Sequence, residues 1–424
     1  MIYCKRCLYS SNHPFTILFD DEGVCSGCRI HEEKDSLDWK KRSEKLGRLL
    51  QSFKNKNNNN YDCVIPVSGG SDAYFIVHLI KKVYGLNPLL VTYNKHYNSE
   101  TGISNLSYLR LLLGCDIMTL NIDGELVKKI NLATLEKLGS MYWHCIAGET
   151  AYPVQVAVKF KIPLIIWGLH QGCDQVGMFS HTDEVEMTRK FRKEHDLMGI
   201  EAEDLVDSHG LSERELQPYF YPHNKEIESV GVRGIYLSNY IRWDSKTQHE
   251  EMIKLYGYET IEQQRTFNPY NNSDSIHYNG LHDYIKFLKL GYGKVTDHAN
   301  QEIRFGRLSR EEGIGLVNQF QFKEPKDIDI FSKWQGLGKA ELLSQVNNHR
   351  DRSAWHLTNE KWELKNFICR HDRTKDPKVE KARLERTDKS EFIINRTEEK
   401  PIEKISYTML TTGYVDHKRR TLFQ

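Results

Sequence analysis

The chain has 424 residues, and its 59 lysine and arginine residues nearly balance its 58 aspartate and glutamate residues, so the formal net charge is +1. At roughly 150 residues per domain, this length predicts two to three domains. The balanced charge argues against a main function in binding nucleic acid or an anionic membrane, because such partners usually require a clear basic excess, although a local basic site is compatible with it.

Composition and the amino-terminal sequence predict a soluble, cytoplasmic protein. Hydrophobic residues make up 39% of the chain and charged residues 28%, with a mean hydropathy of −0.61. No segment approaches the roughly 18 apolar residues that span a bilayer. Residues 1–7 lack the apolar run of a signal peptide, so we expect a reducing compartment in which the nine cysteines do not form disulfides.

The first predicted element is a zinc ribbon over residues 1–32. It contains two Cys-x-x-Cys pairs with seventeen residues between them, a spacing typical of a structural Zn2+ site, formed by Cys4, Cys7, Cys25 and Cys28. Residues 15–19 are predicted as a strand and residues 20–23 as a turn. Four thiolates leave no open position on the ion, so we expect a role in stability or docking and not in catalysis. The alternative is four unrelated reduced cysteines.

A helical linker is predicted over residues 33–60. Apolar residues recur at helical spacing up to residue 54, and residues 54–60 (Lys-Asn-Lys-Asn-Asn-Asn-Asn) form a polar break. We therefore place a domain boundary at this break.

Residues 61–325 are predicted to form an α/β catalytic domain built on a doubly wound parallel sheet. Short apolar strands are expected at residues 63–67, 89–93, 117–120 and 164–167, and each is separated from the next by a helical stretch. In such a sheet, ligands bind at the carboxyl ends of the strands.

A small-residue loop after the first strand predicts a phosphate site. The loop contains Ser68, Gly69, Gly70, Ser71 and Asp72 and precedes a helix. Glycines allow the backbone to approach a phosphate, the loop amides and the helix N-terminus supply positive potential, and the aspartate is suited to hold Mg2+. The chain has no Walker-type Gly-x4-Gly-Lys-Ser/Thr sequence. An ordinary turn is the alternative interpretation of these residues.

A local group of cations near residues 286–310 predicts an anion site inside this neutral chain. Its members are Lys286, Lys294, Arg304, Arg307 and Arg310. Ser309 and Glu312 form a capping-box pattern, so a helix should begin near Arg310. The group is expected to clamp ATP phosphates, a sugar carboxylate or a diphosphate. The alternative is a solvated surface with salt bridges, since three glutamates are interleaved.

Several aromatic and histidine residues are either site residues or core. Trp143 and His144 could line a sugar pocket or an ammonia entry, and they could equally be packed in the core. Trp167 and Gly168 end a strand, where a doubly wound fold builds its site, which favours contact with ATP or a sugar. Cys145 and Cys173 would be nucleophiles only if the chemistry were thiolation.

Residues 326–424 are predicted to form a mostly helical extension and a tail. Residues 325–365 have helical spacing. The charge run at residues 371–389 and the weak strand pattern at residues 404–410 indicate no chemistry.

The loop resembles the Ser-Gly-Gly-x-Asp-Ser pyrophosphate loop of the N-type ATP pyrophosphatases, whose fold is of the HUP-like type. The match covers Ser68, Gly69, Gly70 and Asp72, whereas Ala73 replaces the final serine and Ser71 stands where relatives often carry lysine. The resemblance implies that a substrate oxygen attacks the α-phosphorus of ATP and forms an adenylate and pyrophosphate.

The other motifs resemble the N-acetyl sugar amidotransferases over about residues 2–360. The matching blocks are the amino-terminal cysteine pairs, 142–145, 165–168, 240–244, 282–286, 291–297 and 302–313. The resemblance implies conversion of an acetamido sugar of a bacterial surface glycan, such as pseudaminic or legionaminic acid of flagellin or an O-antigen uronic acid, into an acetamidino sugar. It also implies that ammonia comes from a separate glutaminase subunit of the histidine-biosynthesis type, with a cyclase-like channelling subunit also compatible.

On this interpretation, the chain is an ATP-dependent carbon–nitrogen ligase that uses ATP, Mg2+ and structural Zn2+. Asp72, Lys294 and Arg304 are the expected catalytic residues, and the loop residues with Trp167 and Gly168 bind ATP. The substrate candidates are Trp143, His144, His282, Lys286, Arg307 and Arg310. Two alternatives stay open: a tRNA-thiolating enzyme of the same superfamily, which would need a basic RNA surface, and a non-catalytic zinc-ribbon binding module.

Overall fold

The computed structural model describes residues 2–15, 17–57 and 59–370, with the backbone but not the side chain of Ser71. The predicted charge run at 371–389 and strand at 404–410 lie outside the described residues. Within the described ranges, no helix is long and apolar enough to cross a membrane.

A parallel five-stranded sheet forms the centre of the protein. Its strands are β1 (Cys63–Pro66), β2 (Pro88–Tyr93), β3 (Asp116–Leu120), β4 (Leu164–Trp167) and β5 (Arg233–Tyr236), in the spatial order β3-β2-β1-β4-β5. Val64 of β1 pairs with Leu89 on one side and with Ile165 on the other. The predicted parallel α/β fold is therefore confirmed, and the strand order reverses direction between β1 and β4.

The described residues form sixteen α-helical segments. Those of seven residues or more are Ser26–Ser36, Trp39–Phe53, Ser71–His78, Glu100–Leu113, Gly124–Leu138, Trp143–Lys159, Asn224–Val230, Ser245–Tyr256, Asp283–Leu290, Lys294–Arg304, Arg310–Phe320, Ile328–Gln335 and Lys339–Asn347. The short ones are Gln171–Asp174, Arg189–Phe191 and Glu213–Leu216, and π-helical turns occupy Leu79–Val83, Arg192–Asp196 and Tyr278–His282.

Both faces of the sheet are covered by packed side chains. Neighbouring residues of β1 point to opposite faces and are buried in different clusters. Ile65 packs in a cluster with Phe75 and Trp243, whereas Val64 packs in another with Val154 of the helix Trp143–Lys159. Alternate burial on two faces is what a doubly wound sheet requires.

The helix Trp39–Phe53 belongs to the core of the sheet domain. Its Leu46 and Leu50 are fully buried in the same cluster as Ile65. This segment was predicted as a linker, and its amphipathic spacing is satisfied here by packing on the catalytic domain.

The carboxyl-terminal part of the described chain ends in a hairpin. Two helices are followed by the antiparallel strands β6 (Trp355–Thr358) and β7 (Lys361–Leu364), so the helical prediction to residue 365 was wrong from residue 355 onward. Asn359 and Glu360 both have positive φ angles, of 47° and 63°. Two such residues form the tight turn whose twist matches that of a hairpin.

Candidate functional site

The four amino-terminal cysteines are gathered into one buried cluster. Their sulfur atoms lie within 4.8 Å of one another, with 4.0 Å between Cys4 and Cys28 and 3.5 Å between Cys7 and Cys25. Zn–S bonds of about 2.3 Å in a tetrahedron place sulfurs roughly 3.8 Å apart. The four thiols therefore fit a tetrahedral zinc ion, which would close the shell and stabilise the ribbon.

The ribbon is built from turns more than from strands. The amides of Arg6 and Cys7 donate to the sulfur of Cys4, each at 3.4 Å. Among the described residues of the predicted strand 15–19, Phe19 alone forms a ladder contact, an isolated bridge to Cys25. The ribbon thus has little regular secondary structure, and the four thiols on its two tight turns would hold it together through a bound metal.

The phosphate loop leaves β1 and enters the helix Ser71–His78 directly. The amide of Gly70 donates to Ser68 Oγ at 3.1 Å. A methyl group on Gly69 would lie 1.9 Å from the carbonyl oxygen of Gly102, so the close contact between these two backbones requires glycine. The predicted strand–loop–helix arrangement is confirmed, while the side chain of Ser71 lies outside the described part of the chain.

Asp72 lies in the first turn of this helix and faces a cleft. Its Oδ1 is 3.0 Å from Nε2 of His249, and the Asp72 side chain is 38% exposed while that of His249 is 1% exposed. His249 therefore fixes one side of the carboxylate and leaves the other side open to the cleft.

A buried ion-pair group borders the loop and was not foreseen from the sequence. Asp274 Oδ1 would lie 3.0 Å from a methyl group on Gly70. Its Oδ2 is 2.5 Å from Nζ of Lys95, which is 2.8 Å from Glu149. Burial lowers the pKa of Lys95, but the negative charges of Asp274 and Glu149 raise it more, so that this pKa lies well above its usual value. A signal existed, since Lys95 follows β2 by two residues, at the functional edge of the sheet.

The cleft lies at the carboxyl ends of β1 and β4, where the strand order reverses, and has a cavity volume of about 210 Å³. Three regions of sequence line it. The sheet domain contributes Asp72 and Gln171, the ribbon and its following helix contribute Tyr9 and Lys34, and residues 271–305 contribute a third wall. Ligands of doubly wound sheets bind at such switch points.

Lys294 lines the third wall of the cleft. Its Nζ donates to Tyr278 Oη at 3.1 Å and lies 4.7 Å from the centre of that ring. Burial lowers the pKa of Lys294, but Tyr278 and Asp297 raise it more, so that this pKa lies above its usual value. The ammonium is thus charged and keeps donor capacity for a ligand beyond its bond to a neutral hydroxyl.

Arg304 also lines the cleft, but its guanidinium is directed at the ribbon. Nη1 donates to the carbonyl oxygens of Asp174 and Gln175 at 3.0 and 2.7 Å, and Nη2 lies 3.9 Å from Sγ of Cys25. The structure therefore places this residue between the four-cysteine cluster and the cleft, and not at the phosphate loop.

The remaining cations of the predicted group are matched by acids or carbonyls. Lys286 Nζ is 2.5 Å from Asp297 Oδ2, and Arg307 pairs with both Asp244 and Glu302. Arg310 donates from Nε to the carbonyl oxygen of Cys7 at 3.2 Å. Lys286 and Arg307 therefore match the salt-bridged alternative, Arg310 is buried against the ribbon backbone, and the three residues do not form one open cationic patch.

The aromatic and histidine candidates pack away from the described lining of the cleft. Trp143 is buried and donates to the carbonyl oxygen of Ile200. His144 is fully buried with Nδ1 at 2.9 Å from Tyr93 Oη. The His282 ring packs against the Tyr142 ring, with centres 4.6 Å apart and the planes tilted by 31°. These three side chains serve the core in this structure.

Trp167 and Gly168 end β4 beside the cleft without lining it among the described residues. A methyl group on Gly168 would lie 2.9 Å from Ile76 Cδ1 and 3.0 Å from the ring of Trp243. The glycine therefore permits close packing of β4 on the core cluster beneath the loop.

Comparison with known proteins gives one match to a family model over part of the chain and two further partial likenesses. Residues 264–368 match the family model for the carboxyl-terminal domain of WbpG-like LPS biosynthesis proteins. An uncharacterized protein of Methanocaldococcus jannaschii is 27% identical over 120 residues, which are 28% of this chain and 43% of that protein. The chain therefore spans less than half the length of this relative. The structure of NMN synthetase from Francisella tularensis aligns with 51% of this chain and 94% of that chain, at 15% identity and a TM-score of 0.26.

Proposed function

We propose that this protein is an ATP-dependent amidotransferase that converts the N-acetyl group of a bacterial surface-glycan sugar into an acetamidino group. The observation that carries the proposal is the cleft itself. It joins Asp72, which follows the phosphate loop, to Lys294 and Arg304, which lie in the segment matched by the LPS-biosynthesis family. In this proposal the phosphate loop and the segment matched by that family would contribute to one site.

The proposed reaction begins with attack of the amide oxygen on the α-phosphorus of ATP. The bond from that phosphorus to the bridging oxygen breaks, and pyrophosphate leaves. In this proposal the amides of residues 68–72 and the ammonium of Lys294 would stabilise negative charge that develops at the phosphates. Asp72 would hold Mg2+ through its open carboxylate face, and the ion would neutralise the departing pyrophosphate.

Adenylation makes the amide oxygen a leaving group. Ammonia then adds to the imidate carbon, AMP departs with the oxygen, and one proton is released as the amidine forms. We propose that the ammonia comes from a separate glutaminase subunit of the histidine-biosynthesis type, with or without a cyclase-like channelling subunit. We also propose that the protein acts in the cytoplasm and without nucleic-acid or membrane partners.

The thiolating alternative is disfavoured by the environment of the two cysteines it would need. Cys145 and Cys173 are both fully buried. Burial raises the pKa of Cys145 well above its usual value and that of Cys173 to about 12. Nucleophilic cysteines require the thiolate, so these residues are poor candidates for sulfur transfer.

The test is incubation of the full-length, zinc-loaded protein with ATP, ammonium and a panel of acetamido sugars, followed by mass spectrometry. Exchange of the amide oxygen for an imino group, with equal formation of AMP, is expected. Sulfur incorporation into tRNA would overturn the proposal, as would the absence of ATP cleavage with every acetamido sugar tested.

A further inference from the structure

One wall of the cleft is formed by the zinc ribbon and its docking partners. The helix Ser26–Ser36 begins directly after Cys25 and carries His31 and Lys34 into the lining of the cleft. Asp174 and Arg304 complete this wall. The sequence assigned the ribbon to stability or docking, and the structure makes it one side of the candidate active site.

Three polar atoms of this wall are buried without a hydrogen-bond partner among the described residues. They are His31 Nε2, Asp174 Oδ2 and Arg304 Nε. The side chains of His31 and Arg304 are at most 5% exposed. Native proteins rarely leave buried polar groups unsatisfied, so a cluster of three in one cleft indicates a missing polar ligand or ordered water.

The charged side chains of this wall already have partners within the protein. The missing ligand therefore need not carry a charge of its own. Lys34 forms a buried salt bridge with Asp174 Oδ1, and Arg304 is matched by carbonyl oxygens and by the sulfur of Cys25. Burial, with Lys34 and Arg304 nearby, holds the pKa of His31 well below its usual value. The unsatisfied groups are therefore one carboxylate acceptor, one guanidinium donor and one neutral imidazole.

A hydroxyl group both donates and accepts, so vicinal hydroxyls satisfy such a mixed set better than an anion does. Aromatic residues of the same cleft, Tyr9, Trp243 and Phe305, offer apolar surface for the ring of such a ligand. Sites for small molecules combine apolar lining with a few converging polar groups in this way.

We propose that this wall is a subsite for the hydroxyl groups of the acceptor sugar, with Asp174 Oδ2 accepting from one hydroxyl and Arg304 Nε and His31 Nε2 contacting its neighbour. The inference rests on the proposed function and deepens it. It places the sugar ring on the ribbon side of the cleft, facing Asp72, so that the acetamido group is directed toward the phosphate loop.

The test uses the full-length, zinc-loaded protein and saturation-transfer NMR with N-acetylglucosamine and N-acetylneuraminic acid as probes. N-methylacetamide, which carries the amide without hydroxyls, is the matched probe. Asp174→Asn and His31→Ala should each weaken sugar binding by about tenfold, as expected for loss of a hydrogen bond to a charged or buried group. Binding of ATP and of N-methylacetamide should not change.

Asp329→Asn, an exposed helical position, is the control variant, and zinc content and thermal midpoint are measured for all variants to detect misfolding. Sugar binding that is absent, or equal in wild type and in the folded Asp174→Asn and His31→Ala variants, overturns the inference. Amidine formation with unchanged sugar binding in these variants would sink the subsite and leave the proposed function standing. Sugar binding that depends on Asp174, without amidine formation, would support the subsite and contradict the proposed function.

Discussion

Nη2 of Arg304 lies 3.9 Å from Sγ of Cys25, although 279 positions separate the two residues in sequence. Four thiolates around Zn2+ carry a net charge of −2, and the cluster is buried, so it requires a nearby cation. Burial lowers the pKa of Arg304, but the adjacent cysteines raise it and hold it well above its usual value. This guanidinium therefore lies between the four-cysteine cluster and the cleft.

Replacement of Arg304 by glutamine should weaken zinc binding by about 10–100-fold, the range seen when groups around metal ligands are changed. Competition with a chromophoric chelator measures the effect. Arg214→Gln, at an exposed position, is the control. Equal zinc retention in the two variants would show that the guanidinium does not act on the cluster.

Asp72→Asn should abolish ATP-dependent pyrophosphate release, because the side chain loses the charge that faces the cleft beside the phosphate loop. Zinc content should stay near that of the wild type, since the ribbon cysteines do not contact Asp72. Pyrophosphate release is measured by a coupled assay, and zinc by atomic emission. Persistent release would remove Asp72 from its proposed role.

Gly69→Ala should destabilise the protein by about 1–3 kcal/mol and weaken ATP binding, because the added methyl group meets the Gly102 carbonyl and overpacks the loop. Gly124→Ala is the matched control, since nothing lies within 4 Å of a methyl group there. Chemical denaturation and ATP titration measure the two effects. Similar behaviour of both variants would contradict the close contact between Gly69 and Gly102.

Stability should fall as the pH falls below about 6.5, because buried histidines resist protonation. Burial lowers the pKa of His298 from 6.5 to about 3 and that of His170 from 6.5 to about 4. Between these values and 6.5 the unfolded chain binds more protons than the folded one, so acid favours unfolding. At pH 5 each group contributes up to about 2 kcal/mol of lost stability.

The difference in unfolding free energy between pH 7.5 and pH 5 should be smaller in His298→Gln than in the wild type. Gly124→Ala, which changes no titrating group and adds a methyl group in open space, is the control and should keep the full difference. An unchanged difference in His298→Gln would mean that this imidazole gains its proton as readily in the folded state as in the unfolded state.

The helix starts and strands that the sequence predicted correctly depend on residues close together in the chain. The capping box of Ser309 and Glu312 begins the helix Arg310–Phe320 as expected, and four of the five sheet strands were placed within about one residue. The strand Arg233–Tyr236 was missed because its residues carry no apolar run. The partners of Arg304 were not predictable, since its contacts with Asp174 and Cys25 depend on packing between distant segments.

The residues of the candidate site were likewise predictable where they depend on neighbours in the chain, and not where they depend on contacts between distant segments. Asp72 was recognised because the loop, strand and helix around it are contiguous. Lys34 and Asp174 were missed because each is an ordinary surface residue type, and only the fold brings them together as a buried pair. Trp143 and His144 were proposed as site residues on local sequence, whereas the packing of the helix Trp143–Lys159 directs them into the core.

The docking of the ribbon on residues 297–310 has a consequence for synthesis of the protein. The amide of Leu8 donates to Asn300 and the hydroxyl of Tyr9 to Asp297, across 292 and 288 positions of sequence. At roughly 5–20 residues per second, the ribbon leaves the ribosome tens of seconds before these partners exist. During that interval the later packing cannot hold the four thiols together, so a Zn2+ ion bound by the ribbon would do so.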